Sequence, residues 1–530
     1  MPTDSVSYQK SGYFTKLIVD YLDEKPELKS FYNHFPKLEN FKSQIDEKTQ
    51  NYPQENRKIL VEALENQYKG FTVSKLTSNY ISALNHDNTF TITTGHQLNL
   101  FTGPLYFLYK IVSTINLCAE LKKAYPSYNF IPIYWMATED HDFEEINYFN
   151  FKNAKIKWNT IGKGPTGRLS TAGLEDVLEV FSTTLGIGEN AAFLKQLFKD
   201  SYLKHDTLAA ATRFLTNELF GKKGLVILDG DDKNLKELFI PFVKEELLNQ
   251  TAYHKVSETN VVLKKTYEIQ VNPREINLFF IDENLRERIL FEENQYKINN
   301  SKITFSEEEI LELLKTNPEK FSPNVILRPL YQEVILPNLC YIGGGGEISY
   351  WLQLQSNFVV NKIVFPILLI RNSAVLVTEK QFQKAVKLEL SWADLFSNQQ
   401  ELFNTKTRAF SNFKIDFSEQ KEHLKKQFEK LLAITNQTDK SFAGAVKAQQ
   451  VKQIKGLENL EKRLLKAEKR VHAVKLERIL LLQNELFPNQ GLQERKLNFS
   501  EFYKADNSKL LEKLFQELKP LIPNFSIITL

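Results

Sequence analysis

The sequence predicts an α/β fold: a doubly wound, mostly parallel sheet carrying two insertions, followed by a long α-helical arm. Three observations carry this. Apolar β runs recur at 89–94, 130–136, 224–229 and 363–370. The gaps between them far exceed hairpin turns, and the first is helical in period, as parallel crossovers require. From about residue 416 the composition turns to Lys, Glu, Gln and Leu, and apolar residues step by three and four as in a coiled coil.

At 530 residues the chain is too long for one core, since cores stop growing at about 250–300 residues. Residues 1–88 read as a helical lead-in, punctuated at Glu24-Lys25-Pro26 and Tyr52-Pro53. The core, 89–415, opens on the strand Thr89-Phe90-Thr91-Ile92 and an amphipathic helix over 104–124. The buried parallel strand Phe130-Ile131-Pro132-Ile133-Tyr134-Trp135-Met136 completes a βαβ unit. The pattern returns at Gly224-Leu225-Val226-Ile227-Leu228-Asp229 and again at 363–370. One insertion, 147–220, starts on the alternating Tyr148-Phe149-Asn150-Phe151 and continues as helices; the other, 255–320, alternates like antiparallel strands. Both would wall a pocket at the carboxyl edge of the sheet.

Residues 416–488 predict an antiparallel helical hairpin. Phe417, Leu424, Phe428 and Leu431 form one seam, Asn436-Gln437-Thr438-Asp439 the turn, and Leu457, Leu460, Leu464, Ala467, Val471 and Val474 the other seam. A second helix unbroken over 442–486 would be about 65 Å long from the helical rise. Its stripe fits two outcomes, the inner contact of the hairpin or a homodimer seam. Residues 489–530 resume mixed aromatic patterning and are expected to return to the core.

Composition excludes several classes. With 42% hydrophobic and 25% charged residues the chain is globular, and 68 basic against 65 acidic residues leave no nucleic-acid footprint. Two cysteines, Cys118 and Cys340, flanked by Leu117 and Leu339, make neither a zinc ribbon nor a disulfide framework and fit buried thiols in a reducing cytoplasm. The longest apolar run, 363–370, falls short of the ~20 residues that span a bilayer, and no apolar signal core is expected at the start.

Four motifs carry chemistry. Thr93-Thr94-Gly95-His96-Gln97 is a T-x-G-H pattern where a strand gives way to a helix. Such a corner aims backbone N–H groups and a helix dipole at one point, where phosphate binds, and His96 beside it can hydrogen-bond or protonate a phosphoryl oxygen. A plain turn is the competing explanation. Trp135-Met136-Ala137-Thr138-Glu139-Asp140-His141-Asp142 sets three carboxylates and an imidazole at the same edge, able to hold Mg²⁺, position an amine or act as a base. Capping of the next helix by Asp140, with Asp142 and Glu144 complementing its dipole, explains part of that acidity. Gly343-Gly344-Gly345-Gly346 before Glu347-Ile348-Ser349-Tyr350-Trp351 implies positive φ angles or a ligand against the main chain. Arg328, ending the short β run Asn324-Val325-Ile326-Leu327, can grip phosphate or carboxylate, with Lys110 and Lys362 as lesser cations. Gly491-Leu492-Gln493-Glu494-Arg495 follows Pro488 as a helix stop; Gln493, Glu494 and Arg495 also offer polar groups for a second ligand pocket.

Together, Thr94-Gly95-His96-Gln97 with Leu100-Phe101-Thr102-Gly103-Pro104, Glu139-Asp140-His141-Asp142-Phe143, Arg328-Pro329, the glycine block and Gly491-Leu492-Gln493-Glu494-Arg495 resemble the cysteine-adding enzymes of bacillithiol biosynthesis from about residue 60 onward. The resemblance implies a Rossmann-like core with connecting-peptide insertions and a coiled-coil arm, similar to class I aminoacyl-tRNA synthetases. It implies an ATP-linked ligase that joins cysteine through its carboxyl group to the amine of glucosaminyl-malate. In that frame His96, Asp140, His141 and Asp142 are catalytic, and Thr93, Gly95, His96, Gln97, Gly343, Gly344 and Gly345 bind ATP or ADP, with Mg²⁺ as companion. Asn99, Glu139, Arg328, Glu347 and Trp351 bind substrate, Arg328 through the malate carboxylates and Glu347 through an amino group. The chain departs from nucleotidyltransferases in having Thr where an H-x-G-H motif has its first His, and in lacking a K-M-S-K-S-like segment; it shows no Cys/His zinc ligand set. Two other classes stay open: an adenylyl-transferring enzyme with another acceptor, and a nucleotide-binding coiled-coil scaffold.

Overall fold

The computed structural model describes residues 4–439, 441–505 and 509–530. The chain divides into a first unit that runs to Leu376 and resumes from Gln493 to Ile528, and a second unit, Val377–Leu492.

The first unit is built on a five-stranded parallel sheet. Its strands are β1 (Thr89–His96), β2 (Asn129–Met136), β3 (Val226–Asp229), β4 (Asn338–Gly343) and β5 (Ile367–Ile370), in the order β5-β4-β1-β2-β3. Every residue of β1 is buried, as a central parallel strand covered on both faces requires. Phe90 and Ile92 join Leu339, Cys340 and Ile342 of β4, Ile367 and Leu369 of β5, and Leu117, Cys118 and Leu121 of helix α1 (Tyr106–Ala124) in one apolar cluster. Phe41 and Ile45 from the lead-in complete it, so both cysteines are core thiols. On the opposite face Thr91 and Thr93 donate to Asn338 Oδ1 at 3.3 and 2.8 Å, fixing β1 against β4.

The insertions follow their patterns. Tyr148–Phe151 pairs with Ala154–Lys157 across Lys152 and Asn153, both at positive φ, and three helices follow. The second insertion starts as a helix, Thr251–Leu263, and then forms an antiparallel sheet centred on Leu278–Asp282 and Leu285–Glu292. Asn324-Val325-Ile326-Leu327 is not a β run: strand pairing stops at Pro323, and Arg328 is the first residue of a helix, Arg328–Ile335, with Pro329 in its first turn. The strand Asn524–Thr529 lies between Asp4–Ser7 and Ser373–Val377, which returns the C-terminal segment to the first unit.

The second unit begins at Val377, well before the change of composition near 416. Its helical hairpin pairs α2 (Ser418–Ile434) with α3 (Ser441–Val471). The second helix is not unbroken. His472 takes φ −96° and ψ 16°, and a new helix, α4 (Ala473–Leu486), starts beyond it. Among the described residues no helix is long and apolar enough to cross a membrane.

Candidate active site

The chain leaves β1 for β2 on one side and later returns to β4 on the other, so the carboxyl ends of β1 and β4 diverge. Open α/β sheets bind ligands at such a switch point. These ends carry Gly95-His96 and Gly343-Gly344, and β2 delivers 137–142 beside them. A cleft of about 700 Å³ opens there, lined among others by Gly95, His96, Gln97, Glu139, Asp140, His141, Asp142, Arg328, Gly344, Glu347 and Arg495. The antiparallel insertion adds Phe279, Arg286 and Arg288 to its wall.

The T-x-G-H motif differs from the expected phosphate corner. Strand β1 continues through His96, with Gly95 paired to Trp135 and His96 to Met136, and α1 starts only at Tyr106. A Cβ on Gly95 would lie 3.3 Å from the Tyr341 hydroxyl, so the glycine accommodates a tyrosine of the protein itself. Thr93 does not line the cleft; its hydroxyl is spent on Asn338. The His96 ring packs edge-on to Tyr106, and its Nε2 is buried without a hydrogen-bond partner among the described residues. Burial, with Lys110 and Arg371 nearby, pushes its pKa well below the usual imidazole range. His96 is therefore neutral and can hydrogen-bond to a ligand, but it is no proton donor near neutral pH.

The 139–142 segment divides its labour. Glu139 is ion-paired with Lys236, which also donates to the Phe321 carbonyl at 2.6 Å; burial nonetheless raises the Glu139 pKa. Gln97 donates from Nε2 to Asp140 Oδ2 at 2.8 Å and to Glu145 Oε2 at 3.0 Å. Asp140 Oδ1 accepts from the His141 amide at 2.7 Å. Asp142, not the expected Asp140, stands at the N-cap position of the helix Phe143–Ile146, without a side-chain capping hydrogen bond, and Glu144 lies in its first turn. Burial and the adjacent Asp140 raise the Asp142 pKa, as suits a proton acceptor. One ligand atom from each of Asp140, His141 and Asp142 lies within 4.8 Å of the others, close enough to share a divalent cation. Arg286 donates to His141 Nδ1 at 2.5 Å; a guanidinium has no lone pair, so the neutral ring carries its proton on Nε2.

Packing accounts for two of the four glycines of the block. None of its four residues has positive φ. A Cβ on Gly343 would meet the Glu347 Cβ at 2.9 Å, and one on Gly345 would meet Phe14 at 3.2 Å, so packing accounts for both and neither lines the cleft. Gly344 does line it, and its N–H donates to Glu347 Oε2 at 2.9 Å. Glu347 Oε2 also pairs with Lys110 at 2.6 Å, and Oε1 accepts from the Tyr341 hydroxyl at 2.7 Å. Burial opposes ionisation of Glu347, but these partners hold its pKa below the usual range. The carboxylate is thus already engaged by three groups of the protein.

Three other expectations change. Trp351 is fully buried and stacks on Tyr341 at 4.6 Å, outside the cleft lining. Asn99 donates to the Glu145 carbonyl at 3.2 Å and also lies outside it. Gln493 and Glu494 are spent on contacts within the protein. Gln493 bonds the Leu376 N–H and carbonyl at 2.9 and 3.0 Å, and Glu494, 1% exposed, pairs with Arg371 at 2.7 Å. Arg495 lines the main cleft instead. Sequence reasoning missed Tyr106, Arg286, Tyr341 and Arg371. Arg371 follows directly on strand β5, at the carboxyl edge where ligands gather, and that position could have found it.

A parallel sheet with a polar cleft at its switch point, joined to a unit containing a helical hairpin, defines a Rossmann-like protein with a coiled-coil domain. The model of the bacillithiol biosynthesis BshC N-terminal Rossmann-like domain matches residues 1–372, and that of the BshC C-terminal coiled-coil domain matches 374–530. The chain belongs to the BshC family. It is 64% identical over 529 residues to a protein of Flavobacterium psychrophilum, covering 100% of this chain and 99% of that one. Identity is 62% over 530 residues to a protein of Flavobacterium johnsoniae, with 100% of both covered, and 56% over 534 residues to one of Christiangramia forsetii, covering 100% and 99%. All three are named "Putative cysteine ligase BshC".

Proposed function

We propose that the chain is a cysteine ligase of bacillithiol biosynthesis that joins the carboxyl group of L-cysteine to the amine of glucosaminyl-malate in an ATP-linked reaction. The observation that supports it most is the meeting of Asp142, neutral His96 and Arg328 in one switch-point cleft of a BshC-family chain. Transfer of a phosphoryl or adenylyl group from ATP to the cysteine carboxylate would release ADP or pyrophosphate, and attack by the sugar amine would then form the C–N bond and expel phosphate or AMP. Asp142 takes the amine proton, because its raised pKa brings its basicity toward the working pH. His96 hydrogen-bonds a phosphoryl oxygen without giving up a proton. Arg328 holds an anionic group of the substrate. Asp140 is the side chain we assign to a magnesium ion carried by ATP, since such ions keep several waters and take one or two carboxylates.

The core thiols Cys118 and Cys340 fit a cytoplasmic location, and the arm fits a homodimer. Incubating the purified protein with L-cysteine, glucosaminyl-malate, ATP and magnesium should yield the amide, detected by mass. A deletion strain that kept normal bacillithiol without a second copy of the enzyme would overturn the proposal. Pyrophosphate exchange that depended on another acid and not on cysteine would favour a different acceptor.

A further inference from the structure

Two guanidinium groups in the cleft wall are incompletely used. Arg328 is surrounded by aromatic rings, its guanidinium carbon 5.6 Å from the Trp135 and Tyr341 ring centroids and 6.0 Å from that of Trp351. Its Nη1 donates to the neutral Gln332 Oε1 at 3.0 Å and the Tyr350 hydroxyl lies against the guanidinium, while Nη2 is buried without a well-formed hydrogen bond among the described residues. A buried cation held by a neutral amide and a neutral hydroxyl keeps its whole charge, and such a charge is costly unless an anion completes it. The Gln332 amide in turn donates to Glu333 Oε1 at 2.9 Å, and Glu333 is already paired with Lys48, so that carboxylate does not neutralise Arg328.

Arg371 is held differently. Nη2 bonds Glu494 at 2.7 Å, Nη1 bonds the Asn372 carbonyl and Ser373 Oγ at 2.9 and 3.1 Å, and Nε is buried with no partner among the described residues. That Nε lies 3.7 Å from the point where a Cβ on Gly344 would stand. The residue at 344 has φ −74° and ψ 169°, which any amino acid adopts, so backbone conformation does not demand glycine. What glycine does there is leave the approach to Arg371 open.

We propose that Arg328 and Arg371 form an oxyanion subsite at the Gly344 end of the cleft, each supplying one unpaired N–H, with Gly344 as its opening. The ligand is a carboxylate or phosphate group, and guanidinium donors suit both. This rests on taking the cleft as the substrate site, and it adds Arg371 and Gly344 to that site.

The test is calorimetric titration of the full chain with L-malate and, separately, with inorganic phosphate. Wild type should bind at least one of them. Arg328→Gln, which removes the charge, and Gly344→Ala, which covers Nε, should each weaken that anion at least about tenfold. Gly344→Ala adds a methyl group at ordinary contact distance, 3.5 Å from Glu347 Oε2, so its melting temperature should stay close to wild type even if Arg328→Gln unfolds. A response to malate alone identifies a carboxylate subsite, and a response to phosphate alone a phosphate subsite. Failure of wild type to bind either anion overturns the proposal, as does unchanged affinity in a folded Gly344→Ala. Amide formation by wild type in the face of either failure would leave the ligase proposal standing, and anion binding that follows the variants would leave the subsite standing without ligase activity.

Discussion

The hydroxyl of Tyr341 lies 3.3 Å from the point where a side chain at Gly95 would begin, and it donates to Glu347 at 2.7 Å. Strand β1 thereby sets the position of a carboxylate at the start of a helix from another part of the chain. Gly95→Ala should push the hydroxyl away by a few tenths of an ångström and loosen Glu347 and Lys110 together. We expect kcat/KM to fall at least about tenfold, with a stability loss near 1 kcal/mol. Kinetics and thermal melting on the same preparation check it, and unchanged kcat/KM would show that the Tyr341 contact does not matter to turnover.

Asp142 should set the acidic limb of the pH–rate profile. Burial and Asp140 raise its pKa, so protonation removes the base at a higher pH than for an ordinary carboxyl, and the rate falls as pH drops through that value. Asp142→Asn should lower kcat about 10²- to 10⁴-fold and abolish that limb in the residual activity. Persistence of the same limb in the variant would assign it to another group.

Asp229 gives a stability signature separate from activity. Burial, with Asp231 nearby, raises its pKa to about 6, although Thr138 donates to it. The folded state therefore favours the neutral acid; the resulting stability is complete below the unfolded pKa and is lost as pH rises through about 6. Asp229→Asn keeps the Oδ1 acceptor without a charge. Its melting temperature should exceed wild type at pH 7.5, by an amount equivalent to about 1–3 kcal/mol, and the gap should narrow as pH falls from 6 towards 4. A gap that does not vary with pH would exclude Asp229 as its source.

How much of this was legible in the sequence follows from how local each cause is. Strands β1 and β2 announce themselves through apolar runs, and the 137–142 segment follows β2 directly, so its place at the cleft could be read. Arg328 was found as a residue but placed on the wrong element, because Val325-Ile326-Leu327 resembles a strand while Pro329 reads equally well as a first-turn proline. The glycine block was legible only as unusual. Gly343 is held by its near neighbours Tyr341 and Glu347, but Phe14 at Gly345 and Arg371 beside Gly344 act from distant parts of the chain and leave no local trace. Gln493 and Glu494 misled for a related reason, since polar residues after a helix stop resemble a solvent-facing site until strand Ser373–Val377 is seen to use them.

The last prediction concerns the arm. Helix α2 has 17 residues and α3 has 31, so in an antiparallel hairpin the longer helix outruns its partner. Lys421, near the start of α2, pairs with Glu461 at 3.0 Å, which marks where cover by α2 ends. Three residues of the stripe at and beyond that point are bare, Leu460 at 52% exposed, Val471 at 72% and Val474 at 63%, whereas Leu464 and Ala467 are half-buried. Within the paired stretch Phe428 and Val446 are buried, while Leu431 and Val451 stay exposed. The hairpin thus satisfies only part of the stripe, and because exposed apolar residues in water are costly, a second copy of the chain is the expected cover for the rest. Replacing Leu460 and Leu464 together with Gln should halve the mass measured by light scattering while the folding transition of the remainder persists. If wild type already has the mass of a single chain, or the variant keeps the wild-type mass, the seam is not an interface between copies.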